Sequence, residues 1–126
     1  MIERAFDNAT GIIRVKVSGP WDASEIDRHY TQLRALIETV RARSIPIRIL
    51  VDIRDAPPRP PSVEAQIARH NPSTYRPGDR VAILTGDLED KEHVRTFLDG
   101  AGKWAWQNEL AAEQWLLLDQ DEQEIS

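Results

Sequence analysis

The chain has 126 residues, a formal net charge of −5 and no cysteine. That length suits one domain whose core needs no covalent staples. The missing cysteines exclude disulfides and thiolate metal sites, and the acidic balance excludes the basic footprint of a general nucleic-acid binder.

No apolar run approaches the ~20 residues that span a bilayer. The stretch from Met1 to Phe6 lacks the basic-then-apolar pattern of a signal peptide, so a cytoplasmic location is expected. Charge is distributed unevenly. Ten arginines but only five acids lie from Arg28 to Arg80, while Asp119, Asp121, Glu122 and Glu124 make residues 119–126 an acidic tail behind a domain expected over 1–118. A solvated surface accounts for the arginines, and an anionic membrane surface is the sharper partner they suit.

Residues 2–6 and 12–17 read as a hairpin of two strands, with Asp7-Asn8-Ala9-Thr10-Gly11 as its turn. Ile13, Val15 and Val17 alternate with Arg14 and Lys16, the pattern of a half-buried strand. Asp22, with Glu25 three residues on, has the spacing of a helix cap. Ile26, Tyr30, Leu33, Ile37 and Val40 then form one apolar stripe of a helix that ends at Ser44 to Pro46. Residues 47–53 are a strand without alternation, as expected when both faces are covered.

A proline loop over 54–61 leads to Ser62, which is expected to cap a short helix through about His70 with Val63 and Ile67 inward. Asn71-Pro72 is expected to stop it. With two strong anchors and flanking prolines, this helix is expected to be the most mobile element. A turn at 75–79 precedes a buried strand at 80–85. Next comes a helix over 88–98 with Val94, Phe97, Leu98 and Ala101 inward, ended by Gly100 and Gly102. A strand at 103–107, with Trp104 and Trp106 on one face, and a helix at 109–117 complete a ββαβαβαβα order. Strands separated by helices imply parallel pairing, so the expected fold is α/β, a mixed four- to five-stranded sheet covered by helices.

This order resembles the STAS fold of anti-sigma-factor antagonists and anion-transporter domains, and more closely the SpoIIAA-like family, itself likened to CRAL-TRIO lipid-binding domains. The residues that carry the resemblance are Ile13 to Gly19, Ile49-Leu50-Val51-Asp52, Arg80 to Asp87, and the closing Glu109 to Leu116 with its acidic-alanine-tryptophan-leucine helix. The resemblance implies a binding or regulatory module. The antagonist branch carries a phosphorylatable serine in an aspartate-serine-small-glycine motif near the position of Ser62. Here Pro61 and Val63 flank that serine, so the motif's aspartate and glycine are missing.

No stretch carries a catalytic motif. Gly102-Lys103 lacks the first glycine and the Ser/Thr of a phosphate loop, and no Gly-x-Ser-x-Gly elbow occurs. His29, His70 and His93 are scattered, so no three-ligand metal set is indicated. Asp52 at a strand end has no acid or histidine beside it, and a structural bond to loop amides is the simpler role. The prolines between Arg54 and Pro61 match a polyproline ligand, though a stiff connector explains them as well.

The reading is a non-enzymatic module, without cofactor or metal, that binds a protein partner or a small apolar, lipid-like ligand. Its site is expected at the edge formed by Asp52, Arg54, Arg59, Ser62 and Tyr75. A phospho-switch at Ser62, an enzyme centred on Asp52 and a membrane-associating protein are the rival readings. The four tryptophans also suit a homodimer interface.

Overall fold

The computed structural model describes residues 1–98 and 102–118. The predicted acidic tail, Gly100, the inward Ala101 and the inward side chain of Phe97 lie outside the described residues. Nine elements follow in the predicted order: β1 (Ile2–Asp7), β2 (Ile12–Ser18), α1 (Ala23–Ala42), β3 (Arg48–Asp55), α2 (Pro61–Thr74), β4 (Arg80–Leu84), α3 (Leu88–Phe97), β5 (Lys103–Trp106) and α4 (Glu109–Leu116). The five strands form one sheet in sequence order, with β1 antiparallel to β2 and the other pairs parallel.

The pleat sorts the side chains onto two faces. Ile13, Val15 and Val17 of β2, Ile49 and Ile53 of β3, and Val81 of β4 face the larger core. There they meet the α1 stripe of Ile26, Tyr30, Leu33, Ile37 and Val40, every member of which is buried as the spacing predicts. Ile12, Leu50, Ala82 and Leu84 face the other way, under Ala112 and Leu116 of α4. Each fully buried aliphatic side chain contributes about 2 kcal/mol of transfer free energy. α1 is closed at its start by Asp22, whose carboxylate accepts from the amides of Ser24 and Glu25 at 2.9 and 3.3 Å. Ser44, in the left-handed region at φ 59°, turns the chain at its end.

Four local expectations change. Ser62 does not cap α2. The cap position is Pro60, whose carbonyl accepts from Val63 and Glu64, and Pro61 opens the helix with its φ already set. Ser62 is the second helical residue, exposed, with no cap bond from its side chain. Pro72 does not stop the helix; it lies inside the last turn, and the chain leaves at Tyr75, whose amide donates to the Asn71 carbonyl. The hydroxyls of Ser73 and Thr74 donate to the His70 carbonyl at 3.2 and 2.6 Å, which occupies an acceptor of that weakened turn.

The central strand is displaced to Arg48–Asp55 from the expected 47–53, because Arg54 and Asp55 continue its extended backbone. α3 ends at Phe97, before the glycines, with Leu98 extended. Gly102 instead serves close approach: a Cβ there would overlap the carbonyl oxygen of Asp79. Trp104 and Trp106 share one face as predicted, opposite Ala82 and Leu84 on the α4 side. Trp106 packs on Trp115 at 5.8 Å between ring centres, whereas Trp104 is half-exposed beneath the Arg95 guanidinium.

Candidate functional site

The sheet's larger face is incompletely covered. Val51 and Ile83 occupy its centre, on β3 and β4, yet both are only partly buried while Ile49, Ile53 and Val81 around them are closed off. The cause lies in how α2 is seated. It packs chiefly on α1 rather than on the sheet. Its apolar anchors are Val63 and, less deeply, Ile67. Further ties to α1 come from Gln66, whose Nε2 donates to the Ala23 carbonyl at 2.7 Å and to Asp27 at 2.9 Å, and from His70, whose Nε2 meets Asp27 at 2.7 Å, whose Nδ1 meets Arg34 at 3.3 Å and whose ring stacks on Tyr30. Two further pairs join this region to α3: Arg59 with Asp90 at 2.7 Å, and Glu64 with His93 at 2.9 Å.

The space left under α2 is a cavity of about 170 Å³ with a predominantly apolar wall. Val51, Ile53, Val81 and Ile83 form its floor, and Ile67 and Val94 line it from the helices. An apolar cavity of about 150 Å³ is large enough to hold benzene and stays dry otherwise. Trp21 stands at one end, its indole N–H donating to the Pro57 carbonyl at 2.8 Å.

Polar groups reach the cavity at a few points. His29 lines it and is buried. Arg4 approaches His29 Nδ1 at 3.1 Å. A guanidinium can only donate, so Nδ1 accepts and the ring proton sits on Nε2. Burial, aided by Arg4 and His70, lowers the His29 pKa to about 4. Tyr30 stacks on His70 with ring centres 4.4 Å apart, and burial pushes its phenol up to about 12. Burial also raises the Tyr75 phenol well above its ordinary value, with Tyr30 and Asp79 adding to the effect. Among the described residues neither tyrosine hydroxyl has a hydrogen-bond partner; both side chains line the cavity, Tyr30 buried and Tyr75 partly buried.

The five residues expected at the site are divided by the sheet. Arg59 and Tyr75 line the cavity. Asp52 lies on the opposite face with Leu50 and Lys16, and Arg54 reaches round to it. Asp52 accepts from Lys16 at 3.1 Å and from the Arg54 side chain and amide at 2.9–3.0 Å. Burial alone would raise its pKa, but these bonds outweigh it and hold the carboxyl at about 2. A carboxylate so fully occupied is a structural tie at the end of β3. Ser62 is exposed at the start of α2 and does not line the cavity.

Sequence reasoning passes over His29, Tyr30 and Lys103, all of which line the cavity. Tyr30 belongs to the α1 stripe and so reads as core; the usable signal is that a phenol placed in a core needs a hydrogen-bond partner.

The open mixed sheet, its antiparallel edge hairpin and a cavity under the second helix make this an α/β protein with the SpoIIAA-like fold. Among solved structures, the chain is similar to an uncharacterized protein from the DUF3478 family with a SpoIIAA-like fold from Shewanella loihica PV-4, with 17% identity, 92% of each chain covered and a TM-score of 0.62. At that identity the likeness is one of fold. No family model matches the sequence, and no curated protein matches it.

Proposed function

We propose that this chain is a non-enzymatic binding module that holds a small apolar ligand between the sheet and α2, and that occupancy is read out through α2 as a regulatory signal. The observation that carries this reading is the uncovered centre of the sheet, where Val51 and Ile83 face an apolar space instead of a helix. Burying their remaining surface is the available driving force for a ligand. The charged groups around α2 are tied in pairs, Arg59 to Asp90 and Glu64 to His93, which closes a cavity rather than presenting a base to a substrate. Titration with 1-hexanol tests the reading. Amide shifts are expected at Val51, Ile67, Ile83 and Val94, together with a change in Trp21 emission. Saturating 1-hexanol that leaves all of these unmoved refutes it.

One feature favours a protein partner as the second reading. Leu110 on α4 and Leu117 at its C-terminal cap are exposed and lie seven residues apart. A Leu110→Ser, Leu117→Ser double variant that loses a captured partner without losing 1-hexanol binding would separate the two surfaces.

A further inference from the structure

The charges that line the cavity are not balanced at its two ends. At the Trp21 end, Arg59 is neutralised by Asp90 and Glu64 is paired with His93. At the other end stands Lys103, the first residue of β5, with its ammonium over the Tyr75 ring at 5.2 Å from the ring centre. Among the described residues Lys103 has no carboxylate partner. Asp79 lies near this end, but Arg41 takes both its oxygens at 2.9 and 2.6 Å, and the Arg76 amide donates to it as well. Glu64 cannot supply the counter-charge: it sits in the first turn of α2, and eleven residues of helix separate it from Tyr75, about 16 Å at the α-helical rise.

Tyr75 lies beneath the Lys103 ammonium at this end, and Tyr30 lines the same cavity; among the described residues neither phenol has a hydrogen-bond partner. An ammonium with no carboxylate partner among the described residues, two hydroxyl donors and an apolar floor together describe one kind of ligand. We propose that the cavity takes a small monocarboxylate, its carboxylate paired with Lys103 beside the Tyr30 and Tyr75 hydroxyls and its apolar body lying over Val51 and Ile83. The cavity volume limits that body to about six to eight carbon atoms, by comparison with a cavity that holds benzene. A charge-assisted pair to Lys103 gives the carboxylate its advantage over a neutral head group of the same size. This assignment rests on the ligand-binding reading above and adds the ligand's charge to it.

Three probes of one chain length test it: sodium hexanoate, 1-hexanol and hexylamine, each titrated calorimetrically into the intact chain at pH 7. Hexanoate is expected to bind at least about tenfold more tightly than 1-hexanol, with hexylamine the weakest. Lys103→Met is expected to bring the hexanoate-to-hexanol ratio to about one, and Lys103→Arg to retain the preference. If 1-hexanol binds as well as hexanoate to the wild-type chain, the carboxylate assignment is overturned and the cavity reading stands. If none of the three binds, both fall. An acid preference that survives in folded Lys103→Met removes Lys103 from the site.

Discussion

His29 has one ring nitrogen committed to Arg4 and the rest of the ring buried, so the folded protein keeps it neutral. An unfolded chain protonates it near pH 6.5, whereas the folded chain does so only near about 4. Across that window the unfolded state binds more protons, so stability falls as pH falls, by up to about 1.4 kcal/mol per pH unit. His29→Gln keeps an acceptor for Arg4 and removes the titration. Its urea midpoint is expected to run parallel to wild type above pH 6.5 and to decline less steeply below; identical slopes would assign the acid loss elsewhere. Asp79 makes the opposite kind of contribution. Nearly closed to solvent, it holds Arg41 by two bonds. Asp79→Ala strands that guanidinium and is expected to cost about 3 kcal/mol in chemical denaturation. A cost below 1 kcal/mol would mean that water replaces the carboxylate freely.

Among the elements, α2 is held differently from the rest. α1 buries a continuous apolar stripe, and the central strands are paired on both edges. α2 has Val63 and Ile67 as apolar anchors and is further tied by Gln66 and His70 converging on Asp27, by the Tyr30–His70 stack and by Glu64 with His93. Hydrogen bonds of this kind contribute about 1 kcal/mol each, so local opening of α2 is expected to lie below global unfolding. Its amides are expected to exchange faster than those of α1 and β3. Asp27→Ala is expected to speed α2 exchange about tenfold or more while leaving β3 unchanged; equal protection of α2 and β3 in the wild-type chain would remove α2 as a readout. The elements themselves were largely legible in the residues. The α1 stripe and the alternation of Ile13, Val15 and Val17 are local periodicities that burial reproduces. The ends of α2 were not legible, because Pro60-Pro61 cap and open the helix without any side-chain oxygen, and because the last turn closes past Pro72 through the Tyr75 amide on the Asn71 carbonyl. Each depends on a bond between residues that propensity treats one at a time.

At the scale of the molecule, the cavity is a property of what three helices leave uncovered, and no single segment encodes it. Val51 reads as part of a strand covered on both faces, in the middle of an apolar run. It is instead partly open, because α2 leans on α1. Tyr75 and Lys103 meet only because the turn after α2 passes the start of β5. Asp52, which the run Ile49 to Asp52 seemed to present, points to the other face by the parity of the strand. Parity also supplies a decisive substitution. In a close-packed core, Val51→Phe would cost about 1–3 kcal/mol by overpacking. Here the ring enters existing space, and filling tens of Å³ of cavity returns about 24 cal/mol per Å³, on the order of 1 kcal/mol. Val51→Phe is therefore expected to leave the melting temperature equal to wild type or a few degrees higher, while weakening 1-hexanol binding about tenfold or more. A loss of more than about 2 kcal/mol, within the overpacking range, would mean that α2 closes the space in solution. Unchanged 1-hexanol binding in a stable variant would move the ligand site away from β3.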